Sequence, residues 1–312
     1  MNTPQQATAL APASIANLAV GFDLLGQSFH GCSDRVTVSK IADNTVQLGT
    51  VSGLNCQLPT EIKSNTALRG ADALLQAAGY PFGVRIDMQK GIPVSAGLGG
   101  SAASSVGAVV AVNALLPTPF LQQDLLAFAL EGERASSDPP PKDNTAACLL
   151  GGLVLALPGS NNRIIRLPAP QKVRSIVFHP NLKINTGASR KTLASSNALT
   201  TTIDFAGRIA AFTHACHAND IALLRHVMQD VLIEPQRASS IPPFQAVQQA
   251  ALQAGAICCS ISGSGPSIFA WAEAKDWQRV SDAMQAAFVS TGISANPYDA
   301  SLDSGPTQVV ST

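Results

Sequence analysis

Residues 91–107, GIPVSAGLGGSAASSVG, carry the pattern most suited to chemistry. Gly97, Gly99 and Gly100 let the backbone take positive φ and let another group approach closely, so the loop can turn its N–H groups inward. An alanine- and serine-rich run follows with no helix breaker before Pro117, which predicts a helix over residues 101–116. The first turn of such a helix has N–H groups without partners and sits at the positive end of the dipole. Loop and helix start together form an anion site, best suited to phosphate. No lysine follows the glycines as a P-loop requires. The dinucleotide pattern G-x-G-x-x-A is met by residues 97–102, but a six-residue spacer, 91–96, intervenes after the strand predicted at 84–88, and the next acid is Asp124. A glycine-rich turn into a closely packed buried helix fits the same residues.

The elements that would position this loop are read from composition and periodicity. A chain of 312 residues can hold two domains, and 46% apolar with 13% charged residues describes a compact globular protein. Net charge is zero and basic runs stop at two residues, Arg190 and Lys191, which disfavours nucleic acid and anionic membranes as partners. The six cysteines show no C-x-x-C spacing and read as reduced thiols of a cytoplasmic protein, and the N-terminus has neither the basic region nor the apolar core of a signal peptide. The five histidines, at 30, 179, 214, 217 and 226, lack metal-ligand spacing and read as structural.

Residues 35–41 and 45–51 alternate apolar with polar, which predicts an antiparallel pair turning at Asp43 and Asn44. Helices are expected at 66–78, 120–134, 203–217, 244–254 and 276–289, and strands at 84–88, 148–157, 175–179, 257–262 and 268–272. The segment DPPPKDN at 138–144 is expected to be non-helical because of its prolines. Strands and helices interleave, giving an α+β class, with a domain boundary set in the polar residues near 160: an N-terminal domain over 1–160 and a C-terminal one over 161–312.

Three motifs stand in order: PASIANLAVGFD near the start, PVSAGLGGSAAS in the middle and SISGSGPSIFA at 260–270. Together they resemble the signature motifs of the GHMP small-molecule kinases, over nearly the whole chain. The finer details resemble the homoserine kinase branch: Asn17 and Asp23 in the first motif, the segment from Glu133 to Asn144, Thr186 with Arg190, and Glu234-Pro235-x-Arg237. The resemblance implies a ribosomal protein S5 domain 2-like N-terminal domain and a ferredoxin-like C-terminal domain. It also implies phosphoryl transfer from ATP, with Mg²⁺, to L-homoserine, and leaves room for a homodimer.

By the same resemblance, Pro93, Ala96, Gly97, Leu98, Gly99, Gly100, Ser101 and Ala102 form the phosphate-binding motif, and Ser64 and Asn65 meet adenine and ribose. Ser64 or Asn65 could equally cap the helix that follows. Ser101 and Glu133 match the Mg²⁺ ligands, with Glu131 as competitor if the loop is shifted. Arg190 and Arg237 would hold the substrate carboxylate, and Asp23 its ammonium. Asn17 would stand near the reacting hydroxyl, with Asn144, Thr186 and Gly263 around the substrate. Asn17 and Asp23 also suit turn and cap roles. Asp143 is the candidate base, beside a base-free mechanism and a plain capped turn. One departure is plain: the family's substrate-binding His falls on Pro141 and its Gly on Asp138. The third motif is not a serine-hydrolase elbow, since Ser262 stands where that motif needs glycine.

Overall fold

The computed structural model describes residues 4–54, 57–159, 162–182 and 193–311. The first half is built on a sheet of β1 (Gln6–Ala16), β2 (Leu25–Ile41), β3 (Val46–Gly53), β4 (Gly83–Lys90), β5 (Leu153–Ala156) and β6 (Ile164–Leu167). Its helices are α1 (Thr66–Ala77), α2 (Gly100–Leu115), α3 (Leu125–Glu133) and α4 (Lys142–Leu150). α2 and α4 pack on β1 and β2, while α1 and α3 pack on α2. Eleven residues of α2 are buried, which its run of alanine, serine and valine permits because small side chains let helix and sheet approach. Ser105 Oγ satisfies itself inside this layer by donating to the Ala129 carbonyl at 2.8 Å.

Three expectations about this half are corrected. β2 and β3 are not a hairpin: β4 lies between them, antiparallel to β2 and parallel to β3. Alternation shows that a strand has one buried face, not which strand lies beside it. The strand expected over 148–157 is two elements, the end of α4 and then β5, divided by Gly151 and Gly152. The prolines of 139–141 forbid helix only up to Pro141, whose φ of −68° leads directly into α4.

The second half carries β7 (Val173–Pro180), α5 (Leu199–Ala218), α6 (Ile221–Val227), α7 (Glu234–Arg237), α8 (Phe244–Gln253), β8 (Cys258–Ile261), β9 (Ile268–Glu273), α9 (Trp277–Ser290) and β10 (Ala295–Ala300). Its sheet runs β10-β7-β9-β8, every neighbouring pair antiparallel. Counted within this half the order is 4-1-3-2 with helices between the first and second and between the third and fourth strands, the ferredoxin-like arrangement. A last strand, β11 (Gln308–Ser311), returns to pair with β1. Sheet membership therefore cuts the chain differently from the expected 160/161 division, since β6 and β11 both belong to the first sheet. The halves are laced by buried polar groups: Trp271 Nε1 donates to Gln27 Oε1 at 3.1 Å, and Gln27 Nε2 donates to the Ala300 carbonyl at 2.9 Å.

Among the described residues no helix is long and apolar enough to cross a membrane. Cys56 lies outside them, and the other five cysteines are free. Beneath the glycine loop, Lys90 at the end of β4 contacts the Asp34 carboxylate of β2, both side chains 3% exposed or less. Lys90 Nζ also donates to Ser104 Oγ at 2.8 Å and to the Gly100 carbonyl at 3.2 Å. Asp34 Oδ1 accepts the N–H groups of Gly91 and Ile92, each at 3.1 Å, so one carboxylate holds both the lysine and the start of the loop. Removing one partner of such a pair strands the other charge. Asp34→Asn is expected to lower stability by about 3–5 kcal/mol, measured by urea unfolding, and a loss below about 1 kcal/mol would refute that role.

Candidate active site

The glycine loop and the start of α2 wall a cavity of about 350 Å³. Gly99, with φ of 66°, caps α2; a Cβ there would lie 2.0 Å from Ser14 Oγ and 3.0 Å from Asn144 Oδ1. Gly97, with φ of 74°, is crossed by the third motif, and a Cβ there would lie 2.5 Å from the Ser262 carbonyl oxygen. At that crossing Ser262 Oγ donates to the Gly97 carbonyl at 2.6 Å and Ser267 N–H to the Ala96 carbonyl at 3.2 Å. On the other side Ser14 N–H donates to the Leu98 carbonyl at 3.1 Å. The loop is thus held from both halves of the molecule with the helix start facing the cavity.

A second cavity of about 390 Å³ contains Asn17, Phe22, Asp23, Glu133, Asp143 and Arg237. Ser101, Ser136, Asn144, Gly263 and Ser264 line both cavities, so the two meet at a common wall. The first motif enters through a tight turn in which Asn17, Leu18, Ala19 and Asp23 all have positive φ. For Leu18 and Ala19 that conformation is costly, and such backbone strain gathers at functional sites. Asn17 locks the turn: its Oδ1 accepts Asp23 N–H at 3.2 Å and its Nδ2 donates to the Gly263 carbonyl at 3.1 Å. Arg237, from α7, is 5% exposed and donates through Nη1 to the same carbonyl at 2.8 Å, with its guanidinium 5.2 Å from the Phe22 ring centroid.

Ser101 Oγ donates to Glu133 Oε2 at 3.0 Å, while Glu133 Oε1 is buried with no hydrogen-bond partner among the described residues. Burial pushes the Glu133 carboxyl up to about 7; the Ser101 hydrogen bond and Lys90 oppose this, and the nearby Asp143 charge adds to it. A buried carboxylate oxygen with no protein partner, beside a hydroxyl, is a donor set that suits a hard cation. Glu131 is engaged elsewhere, pairing with Arg69 at 2.6 Å and Arg134 at 3.0 Å. Asp143 is 1% exposed, and its Oδ1 accepts Asn144 N–H at 2.8 Å. Asn144 Oδ1 in turn accepts Ser14 Oγ at 2.8 Å, which ties α4 to β1.

Other expected site residues fall less close to the chemistry. Pro93 is not on the cavity wall, and Ala102 is fully buried in α2. Asn65 lines the first cavity, yet its side chain caps α1 by accepting from Ala67 and Leu68 N–H and donates to the Pro59 carbonyl at 2.7 Å. Ser64 lines the same cavity and donates to the Glu61 carbonyl at 3.3 Å. Thr186 and Arg190 lie outside the described residues. Sequence reasoning missed Lys90, which reaches the first cavity, and Phe22, which reaches the second. The available signal for Lys90 was its register, since it continues the inward-facing alternation of Val84, Ile86 and Met88.

A helix start fed by a glycine loop, joined to an acidic and basic pocket across a common wall, suits a phosphate group held beside a small charged molecule, as in a small-molecule kinase. The chain belongs to the GHMP kinase family. The family models "GHMP kinases N terminal domain" and "GHMP kinases C terminal" match residues 65–152 and 212–290. The chain is 40% identical over 301 residues to a homoserine kinase of Xanthomonas campestris pv. campestris, covering 96% of this chain and 92% of that one. It superposes on a crystal structure of homoserine kinase from Cytophaga hutchinsonii with a TM-score of 0.95 at 33% identity, covering 99% of each chain. The mevalonate diphosphate decarboxylase of Enterococcus faecalis shares the fold at 15% identity, with a TM-score of 0.71 over 99% of each chain.

The state of Glu133 is open to measurement. Its carboxyl is raised from 4.5 to about 7 in the folded chain, so between those values the folded state holds a proton that the unfolded state releases. Stability from this group therefore falls as pH rises through that window and is flat above it. Glu133→Gln removes the effect, so at pH 8 the variant is expected to gain on the wild type by on the order of 1–3 kcal/mol relative to pH 5. Thermal unfolding without nucleotide or metal measures this, and a pH-independent difference between the two proteins would contradict it.

Proposed function

We propose that this chain transfers the γ-phosphoryl group of ATP to the hydroxyl of L-homoserine, giving O-phospho-L-homoserine for threonine synthesis. The observation that carries the reading is the second cavity, which sets a carboxylate, Asp23, and a guanidinium, Arg237, in one pocket beside the phosphate loop. That pairing suits a zwitterionic amino alcohol, and relatives sharing 40% and 39% of their residues with nearly the whole chain are named homoserine kinases.

In this reading the loop N–H groups and the first turn of α2, Gly97 to Ser101, hold the ATP phosphates, with Ser64 and Asn65 at the nucleoside end. Arg237, with Arg190, takes the substrate carboxylate in a two-pronged contact, and Asp23 takes the ammonium. Asn17 and Asn144 orient the hydroxyl toward the common wall, beside Thr186 and Gly263. Asp143, on the wall of the same cavity, accepts the hydroxyl proton as attack proceeds. Ser101 and Glu133 would hold Mg²⁺, which when bound neutralises charge on the transferring phosphoryl oxygens. Most of the catalysis then rests on positioning two substrates across one wall. A cytoplasmic setting belongs to the same reading, which leaves room for a homodimer.

ADP release with L-homoserine, against a panel of amino alcohols and mevalonate-type acids, tests the reading. Selective turnover of the zwitterion supports it; an active enzyme that prefers a non-zwitterionic alcohol overturns it. Pro141 lines the acceptor cavity where relatives of the resembled pattern carry His. Restoring that pattern with Asp138→Gly, Pro139→Ala, Pro140→Arg and Pro141→His is expected to raise kcat/KM for homoserine by about ten- to a hundredfold, the worth of one hydrogen bond to a charged group. The KM for ATP should stay unchanged, and equal gains for every alcohol tested would assign the loop to general closure instead.

A further inference from the structure

We infer that Glu234 is a positioning residue for Arg237, holding the acceptor-binding guanidinium through a half-buried clamp with Ser260 and Gln248. The inference rests on the reading that Arg237 binds the acceptor carboxylate. α7 is a single turn, too short to be rigid alone, with Glu234 at its start and Arg237 at its end. Glu234 Oε2 accepts the Ser260 hydroxyl of β8, and Oε1 accepts Gln248 Nε2 of α8 at 2.8 Å. Gln248 Nε2 also donates to the Cys259 carbonyl at 2.8 Å, so α8, β8 and α7 meet at one carboxylate. Beyond Ser260 the chain runs through Ser262, fastened to Gly97, to Gly263, whose carbonyl receives Arg237. The path from Glu234 to Arg237, across to Gly263 and back through Ser260 is a closed ring, and Glu234 is its only acidic member.

A carboxylate drawn half out of water is costly unless its hydrogen bonds are met, and here they are met by groups that lead to the site. Asp230 holds the entry to the turn, its Oδ1 accepting Leu232 and Ile233 N–H at 2.8 and 2.7 Å. The titratable and charged groups facing Glu234 are Asp230, before α7, and the buried thiols Cys258 and Cys259 of β8. Burial pushes the Glu234 carboxyl up to about 7, the Ser260 and Gln248 hydrogen bonds oppose this, and Asp230 adds to it. The ionised form accepts both hydrogen bonds more strongly, so the clamp is tightest above that value and slackens as the pH falls through it.

Steady-state kinetics from pH 6 to pH 8.5 on wild type, Glu234→Ala, Glu234→Gln, Ser260→Ala and Arg237→Ala test this. Glu234→Ala at pH 8 is expected to raise the homoserine KM about tenfold, with the ATP KM unchanged and kcat within about threefold. Ser260→Ala should move the same way by less and covers the case in which Glu234→Ala does not fold. The wild-type homoserine KM should rise as pH falls through 7, and Glu234→Gln should hold a pH-independent KM within about threefold of the wild-type value at pH 6. A Glu234→Gln profile that keeps the wild-type step, or KM values for ATP and homoserine that rise together, would overturn the clamp. An unchanged homoserine KM in Arg237→Ala would instead overturn the functional reading beneath it.

Discussion

The active arrangement depends on a crossing where a side chain has no room. The third motif passes Gly97 so closely that a Cβ would meet the Ser262 carbonyl at 2.5 Å, and the Ser262 hydroxyl reaches the Gly97 carbonyl across that gap. This contact brings the phosphate loop of one half against the turn at Gly263 from the other. The Gly263 carbonyl then receives both Asn17 Nδ2 and Arg237 Nη1, so the polar residues of the acceptor cavity are registered to the same point as the donor loop. Phosphoryl transfer asks a protein for little besides such registration and charge neutralisation. A displacement at Gly97 would move both substrates' contacts at once.

Among the described residues, charge drawn out of solvent gathers around this crossing. Asp34 with Lys90 lies under the loop, Glu133 faces the common wall, and Glu234 stands behind Arg237, in a chain whose charged residues are only 13%. Replacing such groups with well-packed apolar side chains is often neutral or stabilising, so stability alone is a weak reason for them. Each instead sets the geometry of a short segment that lines the site: Asp34 the start of the loop, Glu133 the first turn of α2, Glu234 the single turn bearing Arg237.

The sequence made the parts legible more readily than their neighbours. The glycines followed by small residues announced α2 within one residue of its observed bounds, because helix signals are local. β2 and β3 were each read correctly as strands, yet their pairing was not, because β4 inserts from more than thirty residues further along the chain. α4 was obscured because three prolines dominate any local reading of residues 138–144, although proline at a helix start is tolerated. Lys90 was passed over for a similar reason: its partners Asp34, Gly100 and Ser104 are distant in sequence or on the next element, so only its inward register on β4 marks it locally. Glu131 and Glu133 could not be separated by counting, and the structure separates them by direction, since residues two apart on a helix do not share a face.

The prolines at 139–141 make a different trade from the His that the resembled pattern carries there. Pro141 fixes the backbone immediately before α4, so Asp143 falls in the first turn, and Asn144 next to it meets Ser14. Asp138 pairs with Arg134 at 2.7 Å, closing the loop over its other end. The segment therefore gives up a side-chain donor toward the acceptor and keeps the helix start that aims two other residues at it. Stiffness of this kind costs nothing in ordering on binding, because the ordering is already present in the free chain. What it cannot replace is charge recognition, which on the proposed reading falls on Asp23 and on the guanidinium that donates to Gly263.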